Sequence, residues 1–104
     1  MNVFLISYGG GVQGTLVMNG GFVCGNTVSG GSGGGGAAGT VTLNEGEISG
    51  NHSAGVGGGV RGTLYMNGGV IKDNTADGGG GALYGAGTLS SGEITNNQSA
   101  STGG

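Results

Sequence analysis

Few side chains in this sequence could do acid–base or ligand chemistry. They are Glu45, Glu47, Asp73, Asp77 and Glu93, one histidine (His52), two cations (Arg61 and Lys72) and one cysteine (Cys24). Carboxylates placed either side of a glycosidic bond would cleave it, so Glu45, Glu47 and Glu93, with His52, Arg61 and Lys72 as helpers, are the residues to place. Spacing alone yields no Ser/His/Asp set and no pair of His or Cys residues with metal-ligand spacing. The glycine runs lack the Lys-Ser/Thr that completes a phosphate loop. Cys24 is single and can form no internal disulfide. A net charge of −3 with two fixed cations excludes the basic footprint of a nucleic-acid binder and the polybasic segment of a membrane-surface protein. The apolar run Val3-Phe4-Leu5-Ile6 is too short to cross a bilayer, and no Lys or Arg precedes it to mark a signal peptide.

What positions these groups is an unusual chain. Of 104 residues 32 are glycine, none is proline, 34% are apolar and 7% are charged. The glycines follow no three-residue period and imino acids are absent, which excludes collagen. Charged disorder is equally excluded by the low charge. So much glycine costs backbone entropy and offers no side chain to bury, so something regular must offset it.

That regularity is a repeat. Gly9-Gly10-Gly11-Val12-Gln13-Gly14-Thr15-Leu16-Val17-Met18-Asn19-Gly20-Gly21 returns almost intact as Gly57 to Gly69, 48 residues on. A glycine column at Gly14, Gly39, Gly62 and Gly85 and an asparagine column at Asn26, Asn51, Asn74 and Asn97 both step by 25, 23 and 23. The repeats therefore run 9–33, 34–56, 57–79 and 80–102, with a two-residue insertion near Gly30-Gly31 and the opening of a fifth repeat at 103–104. Residues 1–8 read as an N-terminal strand or partial cap. Within each repeat apolar residues alternate: Leu16 and Met18 flank Val17, Val41 and Leu43 flank Thr42, and Leu64 and Met66 flank Tyr65. A period of two is that of a strand, and glycine every few positions opposes helix.

One repeat cannot bury its own apolar residues, but stacked repeats can. Val12, Ala37, Val60 and Leu83 form one interior column; Met18, Leu43, Met66 and Leu89 a second; Val23, Ile48, Ile71 and Ile94 a third. Coils roughly 4.8 Å apart bury each column against itself. The pattern predicts an all-β parallel β-helix of about four coils of 23–25 residues, three-faced, and right-handed by the crossover rule. The asparagine column reads as a stacked amide ladder, since asparagine tolerates the left-handed conformation. Calcium-binding β-rolls instead carry Gly-Gly-x-Gly-x-Asp on every turn, whereas Asp73 and Asp77 occur in one repeat only.

On this frame the candidate groups scatter. Glu47 and Glu93 share a column with Phe22 and Val70, two coils or roughly 9.6 Å apart, at the outer limit for an inverting carboxylate pair. His52 aligns with Thr27, Thr75 and Gln98, the profile of an exposed corner. Arg61 aligns with Gln13, Ala38 and Tyr84, and Lys72 with Cys24, Ser49 and Thr95. No catalytic, cofactor-binding or metal residue is assigned.

The motifs carry a resemblance. Gly80-Gly81-Ala82-Leu83 resembles the Gly-Gly-Ala-Ile half of the polymorphic outer-membrane-protein repeat. Val23-Cys24-Gly25-Asn26, Ile48-Ser49-Gly50-Asn51 and Ile71-Lys72-Asp73-Asn74 are similar to its Phe-x-x-Asn half. More broadly, residues 9–104 resemble the glycine-rich β-helices of autotransporter passengers. The resemblance implies an extracellular or cell-surface adhesin or structural stalk of a bacterium, with surface glycans or host and cell-surface proteins as partners. The expected function is a non-catalytic structural or adhesive β-solenoid module without cofactor, membrane insertion or nucleic-acid partner. Two alternatives stand beside it: a carbohydrate-active β-helix fragment, and a solenoid that stacks end to end into fibres.

Overall fold

The computed structural model describes the backbone of residues 3–9 and the whole of residues 12–29 and 35–99. Among the described residues there are ten strands: β1 (Val3–Gly9), β2 (Val12–Val28), β3 (Ala37–Ser49), β4 (His52–Ser53), β5 (Val60–Met66), β6 (Val70–Lys72), β7 (Thr75–Ala76), β8 (Leu83–Leu89), β9 (Glu93–Thr95) and β10 (Gln98–Ser99). Every pairing is parallel, and among the described residues there is no helix. The chain is a parallel β-solenoid of stacked coils. Each coil holds three extended segments. The first stacks β2, β3, β5 and β8; the second stacks β2, β3, β6 and β9; the third stacks β2, β4, β7 and β10. β1 runs parallel beside the Met18–Asn26 stretch of β2, with Gly9 opposite Asn26. The insertion near Gly30-Gly31 and the fifth repeat at 103–104 lie outside the described residues.

The register is that of the repeat. Gly14, Gly39, Gly62 and Gly85 are mutual neighbours, as are Val12, Ala37, Val60 and Leu83. Period-two alternation sends Leu16, Met18, Val41, Leu43, Leu64 and Met66 inward, where with Val23, Ile48, Ile71 and Val60 they form one continuous core. Burying each such side chain contributes about 1.5–3 kcal/mol. Leu89 departs from its expected interior place and is 57% exposed. Its column is covered from one side only, because among the described residues no coil lies beyond the fourth. Leu83 and Ile94, in the same coil, are half-buried for the same reason.

Two glycine columns do distinct work. Gly14, Gly39, Gly62 and Gly85 hold φ of 106°, 125°, 128° and 140°, a region closed to other residues. A methyl group at Gly39, Gly62 or Gly85 would also run into the carbonyl oxygen of the glycine one coil earlier. At Gly14 nothing among the described residues lies within 4 Å of that position. A second column turns the corner before the asparagines: Gly25 and Gly50 have φ of 66° and 63°, and Asp73 and Asn96 follow at 57° and 55°. Asp and Asn are the non-glycine residues that visit this left-handed region most readily. The left-handed position thus lies one residue ahead of the asparagine ladder, not in it.

The steric asymmetry of the first column makes a measurable difference. Gly14→Ala incurs the backbone strain alone, about 1–3 kcal/mol, whereas Gly62→Ala adds a collision with backbone and exceeds about 4 kcal/mol. Chemical denaturation of the two variants should rank them in that order.

Candidate functional site: polar clusters along the coils

The asparagine column is buried, and its hydrogen bonds run one way along the stack. Asn51 donates both its backbone N–H and its side-chain Nδ2 to Oδ1 of Asn74, at 3.1 and 2.9 Å. Asn26 does the same to Asn51 at 3.0 and 2.9 Å, and Asn74 to Asn97 at 3.0 and 2.8 Å. The other Nδ2 hydrogen reaches back to a main-chain carbonyl of the previous coil: Asn51 to Val23, Asn74 to Ile48, Asn97 to Ile71. Each interior amide thereby satisfies both donors and its acceptor without water. No buried side-chain nitrogen or oxygen among the described residues lacks a partner.

A second, exposed amide ladder escapes the column reasoning. Asn44 donates to Asn19 at 2.8 Å, and Asn67 donates to Asn44 at 2.9 Å. These are the asparagines that end each Thr-Leu-x-Met-Asn phrase, and their recurrence at the repeat step was its signal. Ser90 occupies the fourth copy.

On the outer face of the second segment, Ser49 donates its hydroxyl to Glu47 Oε2 at 2.8 Å, and Lys72 Nζ lies 3.7 Å from Glu47 Oε1. Both ends of the ion pair are partly exposed, so it is worth about 1 kcal/mol or less. Val70 separates Glu47 from Glu93 in register, and Glu47 is tied to Ser49 and Lys72 instead. Glu45 is exposed opposite Asn19, and half-buried Cys24 lies opposite Ser49. Arg61 is exposed and sits in register between Ala38 and Tyr84.

The structure does assemble a hydroxyl–imidazole–carboxylate set that spacing did not reveal. His52 Nδ1 lies 2.7 Å from Thr75 Oγ1, and His52 Nε2 lies 3.5 Å from Asp77 Oδ2. Thr75 is the next-coil partner of His52 in register, and Asp77 follows in the bend just past β7. Reading Thr75 as a nucleophile alongside the His52 column would have found it. Acyl transfer also needs unpaired N–H donors aimed at the developing oxyanion. Here the neighbouring N–H groups of Thr75, Asp77 and Gly78 are each bonded to a carbonyl of the preceding coil, at 2.8, 2.9 and 2.6 Å. No cavity opens among the described residues, and no group of three or more His, Cys, Asp or Glu side chains there could hold a metal.

The class of protein is therefore a parallel β-solenoid with an amide-laddered interior and small polar clusters on its outer faces. No protein-family model matches the chain, and no curated protein or solved structure matches it either.

The two ladders differ in what their loss would cost. Asn74→Ala strips Asn51 of two acceptor contacts inside the core and removes the donors to Ile48 and Asn97; it should destabilise the fold by about 3 kcal/mol or more. Asn67→Ala removes one solvent-exposed bond that water can replace, and should cost about 0.5 kcal/mol or less. Thermal melts followed by circular dichroism would show a large downward shift for the first and almost none for the second.

Proposed function

We propose that this chain is a non-catalytic structural or adhesive β-solenoid module of a bacterial surface or secreted protein. The observation that carries the reading is where its polar groups go. Asparagine amides, the N–H groups beside His52 and the backbone of the glycine runs all bond from coil to coil. The outer faces meanwhile offer exposed side chains such as Tyr65, Tyr84, Phe22 and Arg61 on a regular, stiff support. Exposed aromatic and arginine side chains on a rigid scaffold suit contact with a glycan or a protein surface. The resemblance to polymorphic outer-membrane-protein and autotransporter repeats supports the surface location.

The test is a binding and turnover comparison. A glycan array and a cell-surface binding assay on the folded chain should register retention, while acidic and neutral polysaccharides incubated with it stay intact. Polysaccharide cleavage that disappears in Glu47→Gln would replace this reading with the carbohydrate-active one.

End-to-end association into fibres is the second reading, favoured by the exposure of Leu89 and the half-burial of Ile94 on the fourth coil. Size-exclusion chromatography with electron microscopy decides it: fibres grow with protein concentration on this reading, and a monodisperse monomer removes it.

A further inference from the structure

The inner and outer asparagines differ in burial and in the residues that follow them. Asn26, Asn51 and Asn74 are buried and are followed by Thr27, His52 and Thr75, which carry side chains. Asn19, Asn44 and Asn67 line the outer ladder and are followed by Gly20, Glu45 and Gly68. Asn19-Gly20 lies within β2 and Asn44-Glu45 within β3, but Asn67-Gly68-Gly69 forms a bend between β5 and β6. Asn67 is exposed. The Gly68 N–H reaches the Leu43 carbonyl at only 3.3 Å and shares that oxygen with the Asn67 N–H at 2.8 Å. Glycine is obligatory at 68, because a Cβ there would run into the carbonyl oxygen of Asn44. The stack thus asks for an amide at 67 and for the least hindered backbone nitrogen directly after it.

We propose that Asn67-Gly68 is a self-modification site, at which the chain deamidates itself in water. The Gly68 nitrogen gives up its proton to a solvent base and attacks Cγ of Asn67. The new C–N bond closes a five-membered succinimide, and the Cγ–Nδ2 bond breaks as that nitrogen takes up a proton and leaves as ammonia. Water then adds to one of the two ring carbonyls. Opening at Cγ yields aspartate, and opening at the main-chain carbon of residue 67 yields an isoaspartyl linkage. No oxidant or cofactor enters. Glycine favours ring closure because no side chain crowds the nitrogen and its backbone turns freely; the long, shared hydrogen bond holds that nitrogen only weakly.

The product acts on the ladder directionally. Asn67 is the donor to Asn44 Oδ1, and a carboxylate in its place has no hydrogen to give, so acceptor meets acceptor and the outer ladder opens between the second and third coils. The same conversion at Asn19 would leave an acceptor still able to receive the Asn44 Nδ2 hydrogen. An isoaspartyl linkage additionally lengthens the bend that sets Val70 to Lys72 in register with Glu47 to Ser49.

The test is a time course on the intact, folded wild-type chain at mildly alkaline pH, below its melting temperature. Peptide mapping by mass spectrometry and isoaspartyl methyltransferase labelling read each site. Asn67 should convert on the order of tenfold faster than Asn44, with ammonia released in step and a new acidic band on isoelectric focusing, while Asn51 and Asn74 stay amides. Asn67→Gln, whose longer side chain cannot close the five-membered ring, should abolish the fast acidic band; the wild-type map stands without it if that variant misfolds. Conversion of Asn44 as fast as Asn67 would overturn the proposal. So would an Asn67 that persists in the folded chain while the denatured chain converts.

Discussion

Parallel pairing at one strand spacing per coil makes every residue the neighbour of its own equivalents. That constraint decides what each position can hold. An apolar residue gains burial only if its column is apolar, so Met18, Leu43 and Met66 protect one another. A tight approach of backbones must recur in every coil, which is why glycine returns at Gly39, Gly62 and Gly85 with each carbonyl filling the space where the next methyl group would stand. Glycine is entropically costly when isolated. In columns it allows coils narrow enough for single side-chain layers to close the core.

The same constraint lets polar groups enter that core. A lone buried amide would leave donors and an acceptor without water. In a column each amide finds its complement one coil away, and the interior asparagines form a chain of bonds with a fixed sense along the stack. Burial at low dielectric strengthens such a chain as long as every member is satisfied. The solenoid therefore tolerates a polar interior column because its neighbours are polar in the same way, and a single substitution within it is felt on both sides.

Strand content, coil length and the apolar columns were all legible because each is a statement about periodicity, which a sequence displays directly. Other features depend on what lies across a coil or beyond the last one. Leu89 belongs to an interior column by sequence, yet it is exposed, since among the described residues no coil covers its far side. The left-handed corner, which the asparagine column suggests for itself, is carried by Gly25, Gly50, Asp73 and Asn96, whose mixed identities conceal a common φ. The Thr75–His52–Asp77 cluster was hidden for a related reason. Its members are 23 and 25 residues apart, and only aligning the coils and choosing the outward face brings them together.

Such clusters show how a solenoid would have to build chemistry at all. Two side chains meet across coils only when they share or adjoin a column, and their backbones are committed in advance to coil-to-coil bonds. The N–H groups of Thr75, Asp77 and Gly78 illustrate the second half of that rule: each is already bonded, so the imidazole and hydroxyl stand together without donors beside them. Side chains on the outer faces are less bound by it, because their backbones carry the coil-to-coil bonds while the side chains project outward. Tyr65 and Tyr84 are exposed there, outside the buried apolar columns. Recognition through exposed side chains is thus compatible with the repeat, and that compatibility supports the proposed reading of the chain as scaffold and contact surface.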